Sequence, residues 1–214
     1  MSLVQRIMPT RLLHLKSNMP RVKICGITNL EDALAAISLG ADALGFVFYP
    51  PSSRFIAPEI AAQIIAKLPP FVEKVGLFVN TEADTVNLTC KEAKLTLAQI
   101  HWDASEVFYA ALDVPYLPVV RVTCKEDLTR FCGQYRLVDA FVEGYGGKGK
   151  RIEENWFEGM DCSKMILAGG LEPEHLKALR PFGFYGYDVS SGVEETKGKK
   201  SYEKMAKFLK EANA

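Results

Sequence analysis

The sequence lacks any apolar run approaching the ~20 residues that a membrane-spanning helix requires. It also lacks a surplus of either charge sign. Lys and Arg number 26 and so do Asp and Glu, which removes the electrostatic footprint that DNA, RNA or an anionic membrane would demand. A small anionic ligand stays open, because a local site needs no global charge. No CxxC pair occurs among the five cysteines, Cys25, Cys90, Cys124, Cys132 and Cys162, and the three histidines fall outside any zinc-like grouping. A disulfide framework and a structural metal are thereby excluded, and a reduced, cytoplasmic protein is expected. Neither a Pro/Gly-rich linker nor a low-complexity tract nor a literal repeat interrupts the chain. Residues 1–20 contain no acid, only Arg6, Arg11 and Lys16, and have neither a long apolar stretch nor a small-residue cleavage pattern. They are expected to form an extension outside the fold, leaving 21–214 as one domain.

What the chain does have is alternation. Short β-branched runs precede longer amphipathic stretches eight times over. Strands are expected at 22–25, 43–47, 74–79, 95–100, 117–122, 137–142, 165–168 and 185–189. The helices between them are expected at 29–38, 58–68, 82–93, 104–111, 125–132, 154–159, 172–179 and 200–212. The spacing assigns buried stripes to Leu30, Leu34 and Ile37, to Ile60, Ile64 and Leu68, and to Tyr202, Met205, Ala206 and Leu209. Eight βα units within about 200–250 residues match a single-domain (βα)₈ barrel, and an open doubly wound sheet carries fewer.

In such a barrel the reactive face lies at the C-terminal ends of the strands, with phosphate commonly held after the seventh and eighth. Ala168-Gly169-Gly170-Leu171 and Asp188-Val189-Ser190-Ser191-Gly192 follow those strands. Their glycines would admit a phosphate to the backbone, although tight turns use the same residues. Cys25 ends the first strand just before a helix N-terminus, a setting that favours a thiolate, though a buried structural cysteine fits equally. Arg54, after Pro50-Pro51-Ser52-Ser53, is placed to grip a carboxylate bidentately or to sit solvated in its loop. Asp139 and Glu143 share one side of the sixth strand, with Glu143 nearer the rim and Asp139 roughly 13 Å further down.

Several segments together resemble the phosphoribosylanthranilate isomerase family. They are Lys23-Ile24-Cys25-Gly26-Ile27-Thr28, Gly45-Phe46-Val47-Phe48 with Ser52-Ser53-Arg54, Gln99-Ile100-His101, Leu167-Ala168-Gly169-Gly170-Leu171, and Asp188-Val189-Ser190-Ser191-Gly192-Val193-Glu194. The resemblance runs in order from residue 21 to the end. It implies an Amadori rearrangement of N-(5-phosphoribosyl)anthranilate to 1-(2-carboxyphenylamino)-1-deoxyribulose 5-phosphate, a step of tryptophan biosynthesis. It implies no cofactor and no metal, a small phosphorylated substrate, and a monomer or homodimer. Carried over by position, Cys25 becomes the general base, Arg54 the holder of the anthranilate carboxylate, and Asp188 and His101 further substrate contacts. Gly169, Gly170, Ser190, Ser191 and Gly192 become the phosphate site. The sixth strand departs from the family's Leu-Leu-Asp ending, reading Phe141-Val142-Glu143-Gly144. A one-residue deletion puts Glu143 on the general acid, in preference to Asp139. Two rivals remain. A histidine-pathway aldose isomerase would want an aspartate where Cys25 stands. A barrel that only binds a phosphorylated ligand would have no use for Cys25 or Arg54.

Overall fold

The computed structural model describes residues 19–140 and 151–214. Its eight strands are β1 (Arg21–Cys25), β2 (Ala43–Val47), β3 (Glu73–Phe78), β4 (Leu97–Ile100), β5 (Tyr116–Val122), β6 (Arg136–Ala140), β7 (Met165–Leu167) and β8 (Gly186–Val189). All pair in parallel in sequence order, and β8 returns to β1 to close the barrel. The helices are α1 (Leu30–Ser38), α2 (Pro58–Ile65), α3 (Ala83–Ala93), α4 (Glu106–Ala110), α5 (Pro173–Leu179) and α6 (Tyr202–Ala212). Short 3₁₀ turns at Lys125–Thr129 and Glu154–Phe157 stand where the fifth and sixth crossover helices were expected. The (βα)₈ expectation is met.

Side chains alternate across each strand, which divides the chain into an outer and an inner core. Ile24, Leu44, Phe46, Ala98, Ile100, Val120 and Val138 face outward onto the helices. Leu117, Val119, Leu137 and Ala168, with Leu97 and Ile166, fill the lower barrel interior. That apolar plug makes the inside a packed core and confines polar chemistry to the strand ends above it.

Helix rotation departs from the apolar spacing. In α1 the buried positions include Ala33 and Ala36, whereas Leu34 is 42% exposed. In α2 Ala61, Ile64 and Ile65 are buried and Ile60 is turned out. In α6 Met205, Phe208, Leu209 and Ala212 are buried and Tyr202 is exposed. Small alanines allow a helix to sit close against the strands, so burial follows closeness of approach and not side-chain hydrophobicity alone. An antiparallel hairpin not foreseen from the sequence, β9 (Glu194–Thr196) with β10 (Lys199–Lys200), follows β8. Among the described residues no helix is long and apolar enough to cross a membrane.

Candidate functional site at the strand ends

Alternation brings Lys23 and Cys25 to the same inner face of β1, above the plug. Lys23 lies in register with Asp188 on β8, and its Nζ donates to Asp188 Oδ1 at 2.8 Å, both side chains being buried. Cys25 is also buried, and across from it on β2 stands Gly45. A Cβ on Gly45 would meet Cys25 Sγ at 2.8 Å and Lys23 Nζ at 3.0 Å. The missing side chain is therefore what lets thiol and ammonium share that space. Burial pushes the Cys25 thiol up, and the Lys23 charge opposes that rise. Burial pulls Lys23 down, but Asp188 and Cys25 outweigh it and hold it above its usual value.

On the opposite wall Asp139 is the penultimate residue of β6, paired in register with Arg121 of β5. Burial, and then the charge of Asp188, push its carboxyl up to about 7, with Arg121 and Lys23 pulling the other way. β6 starts at Arg136, its inward Leu137 already belongs to the plug, and Asp139 is the next inward position. Two residues suffice to reach the polar layer. Glu143, expected at the rim, lies outside the described residues.

His101 Nε2 stands 3.6 Å from Asp139 Oδ2. Burial, then Arg121 and Lys23, lower its pKa to about 4, so at neutral pH the ring is uncharged and this contact is not an ion pair. Gln99 Nε2 lies 3.3 Å from His101 Nδ1. An amide N–H donated there leaves the ring proton on Nε2, facing Asp139.

Arg54 arrives from the loop after β2. Its stem lies over Gly26, where a Cβ would meet Arg54 Cδ at 2.5 Å and where φ is +79°. Nε and Nη2 donate to the two oxygens of Glu194 at 2.7 Å each. Burial raises the Glu194 carboxyl, but hydrogen bonds from Arg54 and the nearby Lys200 outweigh it and hold it below the usual range.

The two phosphate-type segments come together. Gly169 and Gly170 both have left-handed backbones, φ 89° and 59°, which favour glycine. Ser190, Ser191 and Gly192 form the turn after β8. A Cβ on Gly192 would fall 2.0 Å from the carbonyl oxygen of Leu171, so the turns touch backbone to backbone. The N–H groups of Gly169, Gly170 and Gly192 donate to no backbone carbonyl among the described residues, the arrangement that an anion-binding turn uses. Gly192→Ala is expected to force these turns apart, lowering stability in urea by about 1–3 kcal/mol and weakening inorganic phosphate binding in calorimetry. Unchanged phosphate affinity in a folded variant would dismiss this pair of turns.

The sequence-predicted residues Cys25, Arg54, His101, Asp188 and the Gly and Ser turns thus share the C-terminal end of the barrel. Lys23, Arg121, Glu194 and Lys200 were missed as site groups. For Lys23 a signal existed: an ammonium two residues before Cys25 in a strand must face the same way. Glu194 and Lys200 gave none, because their hairpin carries no hydrophobic alternation. Among the described residues no cluster of His, Cys, Asp or Glu could hold a metal ion.

Residues 22–211 match the family model described as N-(5'phosphoribosyl)anthranilate (PRA) isomerase. The chain is 55% identical over 194 residues to the N-(5'-phosphoribosyl)anthranilate isomerase of Sulfurovum sp. (strain NBC37-1), covering 91% of this chain and 99% of that one. Phosphoribosyl anthranilate isomerase from Thermotoga maritima superposes with a TM-score of 0.82 at 37% identity, covering 91% and 98%. A phosphoribosyl anthranilate isomerase in complex with reduced 1-(o-carboxyphenylamino)-1-deoxyribulose 5-phosphate superposes with a TM-score of 0.78 at 36% identity, over 91% and 98%.

Proposed function

Because the chain belongs to the N-(5'-phosphoribosyl)anthranilate isomerase family, we propose that it performs the Amadori rearrangement of that substrate with Cys25 as base and Asp139 as acid. One observation carries the reading. A thiol and a carboxyl pushed up to about 7 both surround the buried Lys23–Asp188 pair. Acid–base isomerisation of a sugar needs one group of each kind at one ring.

Protonated Asp139 gives its proton to the furanose ring oxygen as the C1–O bond breaks and the anthranilate nitrogen lone pair forms a C1=N bond. The Cys25 thiolate removes the C2 proton, and the electron pair moves through C1 to nitrogen. The resulting enolamine tautomerises to the ketone by taking a proton at C1 and giving up the proton of the C2 hydroxyl as the C2=O bond forms. Lys23 favours the thiolate, and neutral His101 donates to Asp139 once its proton has gone. Arg54 holds the anthranilate carboxylate, and Asp188 contacts the ribose. The N–H groups of Gly169, Gly170 and Gly192, with Ser190 and Ser191, take the phosphate, which favours such backbone donors. No step calls for a metal or cofactor. The substrate is a small phosphorylated molecule, met in the cytoplasm by a monomer or homodimer without nucleic acid or membrane.

The test is the fluorescence decay of freshly formed phosphoribosylanthranilate. The wild-type protein is expected to accelerate it in proportion to enzyme concentration. A folded protein that leaves the decay at its spontaneous rate would reduce the site to ligand binding.

A further inference from the structure

We infer that Glu194, backed by Lys200, is a positioning residue that presents one remaining edge of the Arg54 guanidinium to the anthranilate carboxylate. The inference rests on the reading of Arg54 given above and goes beyond it to the device that makes Arg54 selective.

A guanidinium carries five N–H donors in a fixed plane. Glu194 occupies the side edge, taking Nε and one hydrogen of Nη2 at 2.7 Å each. The end-on edge, formed by Nη1 and the second hydrogen of Nη2, is the one left that can hold another carboxylate bidentately. Gly26 supports the stem from below, since Arg54 Cδ lies where its Cβ would be. Both the rotation and the reach of Arg54 are thereby set before substrate arrives.

A glutamate so close would by itself cancel the charge that Arg54 offers. Lys200 restores it. Its side chain is fully buried and its Nζ donates to Glu194 Oε1 at 3.0 Å. Burial pulls its pKa down and Glu194 opposes that fall. With the ammonium protonated, the three groups carry a net charge of plus one. Lys200 is itself fixed at both ends. Its backbone N–H donates to Asp32 Oδ2 at 2.8 Å, and its Nζ also reaches the Ser190 carbonyl at 3.2 Å. The β9–β10 hairpin carrying Glu194 and Lys200 is pinned further by Thr28 Oγ1 donating to the Gly198 carbonyl at 2.6 Å and by Lys204 Nζ donating to the Glu194 carbonyl at 2.7 Å. Through Ser190 the carboxylate grip and the phosphate turn share one cation. The hairpin therefore sets the distance between the two anionic ends of the substrate.

The experiment compares phosphoribosylanthranilate with N-(5-phosphoribosyl)aniline, which has no carboxylate, on wild type, Arg54→Met, Glu194→Gln and Lys200→Met. Glu194→Gln keeps the shape, removes the charge and turns an amide N–H toward Arg54. It is expected to raise KM for the anthranilate substrate about tenfold, the size of one charge-assisted hydrogen bond. Its kcat should stay close to wild type and its KM for the aniline substrate should not move. Lys200→Met leaves the Arg54–Glu194 pair intact but also loses the contact to Ser190 of the phosphate turn. It should raise KM for both substrates and more for the anthranilate one, and that excess keeps the test available should Glu194→Gln not fold. A rise in KM of equal size for both substrates would make Glu194 merely structural and overturn the inference. An Arg54→Met variant that treats the two substrates alike would instead overturn the role of Arg54 itself.

Discussion

Asp139→Asn is expected to lower kcat by about 10²–10⁴-fold, the usual contribution of a positioned proton donor, while Glu143→Gln keeps most of its turnover. Fluorescence decay measures both. The reverse pattern would return the acid to Glu143. The same substitution has an opposite effect on stability. In the folded protein the Asp139 pKa is raised from 3.8 to about 7, so the folded state holds its proton more tightly than the unfolded chain. Stability from that group is complete below the unfolded value and is lost as pH rises through about 7. The aspartate is then ionised in a buried setting, at a cost of up to about 4 kcal/mol. An asparagine side chain in its place never ionises. Urea denaturation should show the stability of the Asp139→Asn variant, relative to wild type, growing from pH 4 to pH 8 by that order of magnitude. A constant difference would mean that Asp139 does not titrate in this range. Loss of activity coupled to gain of stability marks a residue kept for chemistry.

Cys25→Ser is expected to be comparably severe, again about 10²–10⁴-fold in kcat, with substrate affinity retained. The hydroxyl fits where the thiol was but does not ionise near neutral pH. In the proposed mechanism the reactive form has Asp139 protonated and Cys25 ionised, one proton on the pair. Burial holds the thiol above its usual value and the carboxyl at about 7. The form bearing one proton therefore predominates between those two values, and kcat/KM should rise through about pH 7 and fall at the higher one. The limbs belong to the pair and not to single residues. Iodoacetamide labelling gives an independent reading, because the thiolate is the species that reacts. Lys23→Met should shift the labelling profile to higher pH, since the ammonium lowers the thiol pKa. An unshifted profile would remove Lys23 from the mechanism.

The fold was legible because eight repeats of one pattern overrode local error. The strand at 43–47 and the start of the helix at 58 agree with the structure, and most other boundaries differ by one or two residues. Helix faces were less legible. Leu34 and Ile60 obey helical spacing yet point outward, because alanines allow the closer approach. The site was half legible. Cys25, Arg54 and the Gly and Ser turns sit at strand ends, where a rule of the fold applies. For the acid the sequence offered two candidates, with Glu143 preferred to Asp139. Leu137-Val138-Asp139 has the same hydrophobic-hydrophobic-acid order as Phe141-Val142-Glu143, four residues earlier. The apolar plug, which includes Leu137 of β6, makes Asp139 the first inward acid above it, and that placement is what favours Asp139 in the proposed mechanism. Glu194 and Lys200 depend on contacts across the whole chain, which no local window contains.

Closure of the barrel has a consequence for the order in which competence arises. Lys23 and Asp188 are 165 residues apart, and Arg54 and Glu194 are 140 apart. The first strand thus emerges early from the ribosome, yet its thiol has no ion pair beside it until nearly the last element is made. A nascent chain, or any fragment ending before Asp188, exposes a cysteine without that ion pair and an arginine without a brace. Domains generally acquire their long-range contacts late. Catalytic turnover in this protein therefore reports that the first and last strands have met.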